Sequence, residues 1–227
     1  MHKRIGRSIM LVVALVISLL VFEDTASAFI FMADTTNSTE QLGNFTATLA
    51  YAPIDSTSAT LSLFLLNTSS AVNGGFITGF VFNNPQGFIT NALLTTSNFP
   101  TLVLLGLSNN GISASPFGGF DLGAAIGGNF LGGGSPNSGI GVSQTGAFTY
   151  SLTGVNLNTL SEADFINERS SGGNPSPFFA ARFRGFENEG SDKVPGDPPD
   201  GTVPEPATMS LLGLGFLGIA SRLKKRK

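Results

Sequence analysis

The chain of 227 residues contains no cysteine, no tryptophan and a single histidine, His2. The absence of cysteine excludes disulfide bonds and thiolate chemistry, and zinc sites built from cysteine and histidine are excluded with them. Because His2 is the second residue, catalysis by a histidine-activated nucleophile is excluded for the rest of the chain, and a Ser-Lys pair in its central part would have to use Lys193. A domain without disulfides must be stabilised by its hydrophobic core, and this chain is long enough to form one.

Positive charge is scarce over most of the chain, with no lysine or arginine between Arg7 and Arg169. Residues 29–203 contain four cations and twelve acidic residues, and their net charge is therefore −8. The four cations are Arg169, Arg182, Arg184 and Lys193. Nucleic-acid binding depends on lysine and arginine side chains that neutralise phosphates, so nucleic acid is excluded as a partner.

The N-terminus has the three parts of a secretory signal peptide. A positively charged start precedes an apolar stretch at residues 9–22. Ala26 and Ala28 then supply the small side chains that signal peptidase accepts. We therefore predict a signal peptide at residues 1–28 and a mature protein that begins at Phe29, with an uncleaved N-terminal anchor as the alternative.

The C-terminus combines a proline-containing motif, a short apolar stretch and a basic end. The motif consists of Val203, Pro204, Glu205 and Pro206, and its prolines favour an exposed, extended backbone. Residues 207–221 follow as an uncharged stretch that is shorter than the ~20 residues of a typical membrane-spanning helix. The basic end consists of Arg222, Lys224, Lys225, Arg226 and Lys227. Basic residues next to an apolar stretch stay on the cytoplasmic side, so the preceding chain is predicted to lie across the membrane.

This C-terminus resembles the PEP-CTERM sorting signal in the order of its three parts and in its position at the end of the chain. The resemblance implies a protein of a Gram-negative bacterium, such as a cyanobacterium, that an exosortase recognises and processes near Pro204 to Pro206. The predicted partners are therefore exosortase, signal peptidase with the general export machinery, and the inner membrane as a transient anchor. An ordinary C-terminal anchor helix that follows a proline-containing linker is the alternative.

Strand-like patterns dominate the segment between these two ends. Candidate strands are predicted at residues 45–51, 59–67, 75–83, 101–107, 148–153 and 178–186. The first and fifth alternate apolar and polar residues, as strands with one buried face do. The second and third are apolar at nearly every position and are expected to be central strands or strands covered on both faces. Turn residues separate the candidates. The pattern predicts an all-β fold, a jelly-roll-like β-sandwich.

Two other segments complete the predicted fold. One short helix is predicted at residues 159–167, because Thr159 and Glu162 have the spacing of a capping box. Residues 111–146 are rich in glycine but lack the motifs of phosphate-binding loops, so we expect tight loops there and no nucleotide site.

The predicted organisation is a signal peptide at 1–28, an exported β-sandwich domain at 29–190, a spacer rich in Pro, Gly and Asp at 191–203, and a sorting signal at 204–227. Acidic and amide side chains around the spacer could also supply oxygen ligands to Ca²⁺. They are Asn188, Glu189, Asp192, Asp197 and Asp200. Because the segment lacks EF-hand spacing and its composition is typical of an extended spacer, we predict no metal and no cofactor, with Ca²⁺ as the alternative.

The residue inventory also bears on activity. Asp121, Glu162 and Asp164 are candidate carboxylates for a glycosidase, but the sequence defines no pair at a fixed separation, and we predict no enzyme activity. Glycan-binding surfaces usually expose tryptophan or tyrosine, and this chain has only Tyr51 and Tyr150. Burial of both tyrosines would weigh against glycan binding, whereas a groove lined by them and by asparagines would favour it.

We therefore predict an exported protein that is first anchored in the inner membrane facing the periplasm. Exosortase processing then delivers it to the cell surface or to the extracellular polysaccharide matrix, where it has a structural role. An exopolysaccharide-binding module is the alternative function, ahead of a glycosidase that uses two carboxylates.

Overall fold

A computed structural model describes residues 28–197, which belong to one compact unit. Its strands are β1 (Phe29–Ala33), β2 (Phe45–Pro53), β3 (Ser58–Asn67), β4 (Gly74–Phe82), β5 (Ile89–Ser97), β6 (Leu102–Leu104), β7 (Ile112–Ser113), β8 (Gly119–Phe120), β9 (Leu122–Ile126), β10 (Thr145–Gly154), β11 (Phe179–Phe186) and β12 (Ser191–Asp197). The described residues contain one short α-helix, α1 (Glu162–Asn167). A mostly β structure with one short helix confirms the predicted fold class at this level.

Ten strands form a single antiparallel sheet in the order β5-β10-β3-β2-β1-β12-β11-β4-β9-β6, and β7 pairs with β8 separately. Where the sequence predicts the two sheets of a sandwich, hydrogen bonding thus joins all ten strands. The two halves meet at β1 and β12, where Met32 pairs with Asp197 and Ala33 with Gly196. The edge strands β5 and β6 are consecutive in the chain, and the connection at 98–101 spans at most about 18 Å. The sheet therefore nearly closes on itself.

Strand β12 contradicts the predicted spacer over its first seven residues, Ser191–Asp197. The strand pairs with β11 over residues 191–195 and with β1 at Gly196 and Asp197, and its side chains at Asp192 and Val194 are buried. Proline is compatible with this position because Pro195 needs only its carbonyl, which accepts a hydrogen bond from the Asp34 amide at 2.9 Å. Residues 198–203 of the predicted spacer lie outside the described residues.

The burial patterns of individual strands test the sequence-based assignments. Strands β2 and β10 bury alternate residues, and β4 is covered on both faces, as predicted. Strand β3 is a central strand between β10 and β2, which is one of the two predicted possibilities, but it buries one face only and leaves Phe64 48% exposed on the other. The candidate at 101–107 shortens to the three residues of β6, and the sequence does not predict β1, β5, β7, β8, β9 or β12.

The helix forms three residues later than predicted and with a different cap. Thr159 belongs to a 3-10 turn, and α1 begins at Glu162. Asp164 provides the cap, because its carboxylate accepts hydrogen bonds from the amide and the hydroxyl of Ser161, both at 2.8 Å. Glu162 instead turns inward and accepts a hydrogen bond from the Tyr51 amide at 3.0 Å. That amide needs a partner because β1 begins opposite Leu49 and does not reach Tyr51.

Phenylalanine rings from both halves of the sheet fill the main core. The rings of Phe80 and Phe148 lie 4.7 Å apart, and Phe179 lies 5.4 Å from Phe45 and 5.0 Å from Phe31. These strands come from opposite halves, so the aromatic contacts bring the two halves face to face. Each aromatic pair at such a separation contributes about 0.5–1.5 kcal/mol of stability beyond the free energy gained by burying the rings.

A smaller second core lies on the outer face of β4 and β11. Val81 and Ala180 point to this face, because residues alternate along a strand, and Phe117, Phe120 and Phe130 cover them. The covering rings belong to glycine-rich segments outside the large sheet. Strands β4 and β11 are therefore covered on this face as well, and the glycine-rich segments form an outer layer over them.

Candidate functional site

The residues predicted to direct processing lie almost entirely outside the described part of the chain. They are Ala26, Val203, Pro204, Glu205, Pro206, Arg222, Lys224, Lys225, Arg226 and Lys227. Only Ala28 is described, and it is exposed and directly precedes β1. A cut after Ala28 would leave the whole of β1 in the mature protein. The predicted apolar stretch at 207–221 also lies outside the described residues, and none of the helices between 28 and 197 is long and apolar enough to cross a membrane.

Three of the four cations in the described residues anchor the outer layer. Arg182 donates to the carbonyl of Phe130 at 3.2 Å, and Lys193 donates to the carbonyl of Ser115. Arg184 donates to the carbonyls of Gly133 and Gly134 at 2.6 and 3.2 Å. These carbonyls belong to irregular segments that lack ladder partners, so the cations satisfy acceptors that would otherwise lose hydrogen bonds.

The same cluster is electrostatically crowded, because Arg182 and Lys193 are directly paired across β11 and β12. Burial, and secondarily Arg184, lowers the pKa of Arg182, whose Nε is buried without a partner. Burial, followed by repulsion from Arg182, lowers the pKa of Lys193, although Asp192 opposes this shift. The arrangement has the character of a structural anchor, since its donors are directed to the protein's own backbone.

Asp192, a candidate Ca²⁺ ligand in the sequence analysis, holds the connection between β1 and β2. Its Oδ1 accepts hydrogen bonds from the Thr39 hydroxyl and the Glu40 amide, and its Oδ2 accepts from the amides of Leu42 and Gly43, all at 2.9 Å. The side chain is 1% exposed. Both carboxylate oxygens are thus engaged by the protein. Within residues 28–197, no group of three or more acidic or histidine side chains could hold a metal ion.

A polar cleft of about 670 Å³ lies at one end of the sheet. Four separate segments form its walls: the turn at 84–89 after β4, the connection at 107–110 between β6 and β7, Asp121 before β9, and residues 168–171 after α1. Its volume falls in the range of small-ligand sites, roughly 300–1,000 Å³. Unlike most such sites, it is lined mainly by polar side chains.

Asp121 fixes two of these walls relative to each other. Its Oδ1 accepts from the Asn110 amide at 2.6 Å, and its Oδ2 accepts from the Asn84 amide at 2.9 Å. Its backbone carbonyl accepts from the Ser108 amide at 2.9 Å. Glu168 adds a third connection, because its Oε2 accepts from the Gln86 amide at 3.1 Å. The cleft is thus held in shape by hydrogen bonds within the protein.

The three carboxylates named as glycosidase candidates have separate structural roles. Asp121 braces the cleft, Asp164 caps α1, and Glu162 satisfies the amide of Tyr51. Only Asp121 lines the cleft, where the second carboxylate is Glu168. Sequence reasoning missed Glu168, Arg169 and the asparagines of the cleft, because no motif joins four segments so far apart in the chain.

Both tyrosines belong to the core. Tyr150 is fully buried with its ring 5.8 Å from that of Phe82, and its hydroxyl has no hydrogen-bond partner. Tyr51 is 6% exposed and donates its hydroxyl to the carbonyl of Leu157 at 2.8 Å. Burial, and secondarily the charge of Asp164, raises the pKa of Tyr51 to about 12, and burial raises the pKa of Tyr150 further. Neither ring is accessible to stack on a sugar, which weighs against glycan binding by aromatic stacking.

The different environments of the two hydroxyls predict opposite effects of the same substitution. Tyr150→Phe removes an unpaired buried hydroxyl and should raise the free energy of unfolding by about 1 kcal/mol. Tyr51→Phe removes a buried hydrogen bond and should lower it by about 1 kcal/mol. Urea unfolding of residues 29–203, followed by circular dichroism, measures both. Destabilisation by Tyr150→Phe as large as that by Tyr51→Phe would contradict the assignment of an unpaired hydroxyl.

Comparison with known proteins identifies the C-terminus. Residues 202–227 match the family described as the PEP-CTERM protein-sorting motif, which confirms the predicted sorting signal. The match includes the Pro-Glu-Pro motif, the apolar stretch and the basic end. No curated protein and no solved structure matches the chain.

Proposed function

We propose that this protein is delivered by exosortase to the cell surface or the extracellular polysaccharide matrix, where its β-rich domain has a structural role. The observation that carries the proposal is the PEP-CTERM motif at residues 202–227, which implies export and processing by exosortase. A cleavable signal peptide at 1–28 provides the export step. The apolar stretch at 207–221 holds the protein in the inner membrane, facing the periplasm, until it is processed.

The end of β12 supports a close coupling between the domain and the motif. The strand continues to Asp197, so only residues 198–203 separate it from Pro204. These residues span at most about 25 Å even when fully extended. The processing enzyme therefore has to accept a folded domain near its cleft.

The domain acts in this proposal as cargo and has no catalytic role. In support, the candidate carboxylates and three of the four cations are used to hold the protein's own backbone. A net charge of −8 over residues 29–203 is compatible with a soluble, highly hydrated surface component.

Two variants distinguish the sorting role of the Pro-Glu-Pro motif from the anchoring role of the apolar stretch that follows it. Replacing Pro204, Glu205 and Pro206 by alanine retains the apolar stretch and the basic end, so the protein should accumulate uncleaved in the inner membrane. Deletion of residues 204–227 should instead release the domain into the periplasm. Cell fractionation and the mass of the C-terminal peptide measure both outcomes in a host that contains exosortase.

The matched control replaces Pro198, Pro199 and Asp200 by alanine, the same number of changes just upstream of the motif. This variant should be processed and delivered like the parent protein. Surface delivery of the deletion variant at the parent level would overturn the sorting proposal.

Glycan binding is the second candidate function, and the polar cleft is the observation that favours it. The burial of both tyrosines removes the stacking surface, but three asparagines, Asn84, Asn109 and Asn110, line the cleft together with charged side chains. Binding in this case would depend on hydrogen bonds.

A further inference from the structure

The polar cleft contains hydrogen-bonding groups that the protein itself leaves unused. Arg169 is exposed and donates no hydrogen bond to any residue between 28 and 197, whereas the other three cations of that range each anchor a backbone carbonyl. The Ser171 hydroxyl and the Asn109 side-chain amide nitrogen have no partner among these residues, and Oε1 of Glu168 accepts no hydrogen bond there. The cleft therefore presents donors and acceptors together.

The Arg169 side chain packs against an aromatic ring. The guanidinium carbon lies 5.7 Å from the centre of the Phe178 ring, and the ring itself is buried. Such a contact restrains the guanidinium without using its N–H groups. Because Asp121 ties the segments of Asn84 and Asn110 together, the opposite walls are also fixed before a ligand arrives.

The chemistry of the lining excludes several ligand classes. A nucleotide or another polyphosphate would meet two carboxylates, Asp121 and Glu168, and only one cation. An apolar ligand would find only Ile89 and Leu107 as large apolar side chains in the lining. A metal ion would lack a cluster of three ionisable ligands in the described residues.

We propose that the cleft binds a pyranose unit of a polysaccharide through hydrogen bonds to adjacent hydroxyl groups. A sugar ring offers donors and acceptors in alternation, and the unused groups of Arg169, Asn109, Ser171 and Glu168 complement them. The planar guanidinium pairs with two neighbouring oxygens at once, either vicinal hydroxyls or the carboxylate of a uronic acid. This inference deepens the second candidate function and rests on it, and it is independent of the sorting tail.

The test uses the mature full-length protein, residues 29–227, in a detergent without a sugar headgroup. The probes are immobilised oligosaccharides of glucose, galactose, mannose and glucuronate, together with the host's extracellular polysaccharide. The affinity for the best probe should fall at least tenfold in Arg169→Gln and in Asn109→Ala. A preference for glucuronate that is lost in Arg169→Gln would assign the guanidinium to the carboxylate, and a neutral preference would assign it to hydroxyls.

The control is Asn137→Ala, which removes an exposed asparagine from the turn Pro136–Ser138 outside the cleft and should leave the affinity unchanged. Circular dichroism and thermal unfolding verify that all variants fold. Equal affinity of parent and cleft variants for a bound probe would overturn the cleft assignment but leave glycan binding in place. No binding to any probe would overturn both, and neither result would affect the sorting proposal.

Discussion

Replacing Asp192 by alanine is expected to lower the free energy of unfolding by about 4 kcal/mol, the largest effect of any single polar side chain in the domain. The carboxylate accepts four hydrogen bonds at 2.9 Å, three of them from the backbone amides of Glu40, Leu42 and Gly43. Water cannot readily replace these bonds because the side chain is 1% exposed. Chemical denaturation of residues 29–203 measures the loss.

Two comparisons make this prediction specific. Asp192→Asn keeps the size of the side chain but turns an NH₂ group toward amide donors, so it should destabilise nearly as much as alanine. Asp55→Ala also removes a carboxylate that accepts three hydrogen bonds, from the amide and hydroxyl of Thr57 and the amide of Ser58. Because Asp55 is exposed, water replaces the lost partners and the effect should be much smaller. A loss of less than about 1 kcal/mol in Asp192→Ala would show that the connection is held by other contacts.

Alkaline pH is expected to unfold the domain over the interval in which tyrosine ionises in the unfolded chain. Free tyrosine has a pKa of about 10, whereas the pKa of Tyr51 in the folded protein is raised to about 12 and that of Tyr150 is raised further. A raised folded pKa means that the stabilisation is complete below pH 10 and is lost as the pH rises above it. Tyr150 alone should reduce the free energy of unfolding by up to about 1.4 kcal/mol for each pH unit above 10.

Tyr51 contributes a smaller loss in the free energy of unfolding, because its pKa in the folded protein is raised less than that of Tyr150. The absorbance of tyrosinate provides the readout, because the chain has two tyrosines and no tryptophan, and both rings are buried. Ionisation and unfolding should therefore coincide in one transition. Tyr150→Phe should reduce the steepness of the alkaline loss, whereas a tyrosinate signal that appears near pH 10 in the folded protein would contradict the prediction.

The alternation of side chains was sufficient to identify β2, β10 and β11, three of the strands that line the main core. In β2, Phe45, Ala47 and Leu49 alternate with polar or small residues, and the same pattern in β11 separates Phe183 from Arg182 and Arg184. These patterns are local, because a strand with one buried face alternates apolar and polar residues along its own sequence. The C-terminal sorting signal was equally accessible, because its parts are contiguous.

The features that were missed depend on contacts between distant residues. Ser191–Asp197 has the composition of a spacer, yet its first five residues pair with β11, and its end and Asp192 are held by β1 and by Thr39 to Gly43, about 150 residues away. The outward position of Phe64 could not be read from the apolar run in β3, because either side of such a strand can face the core. The cleft has the same origin, since Asn84, Asp121 and Arg169 meet only after the sheet has formed.

The position of β12 in the sheet constrains when the domain can acquire its structure. The last strand in sequence lies in the middle of the ten-stranded order, where it links the half that contains β1 to the half that contains β11. A chain that crosses a membrane as an extended thread, N-terminus first, delivers this strand after all the others. The hydrogen-bond ladder between the two halves cannot form until Asp197 is available, and contacts between residues this far apart in sequence form slowly. If the chain is exported in this way, the strand that completes the ten-stranded sheet arrives last, directly before the sorting signal.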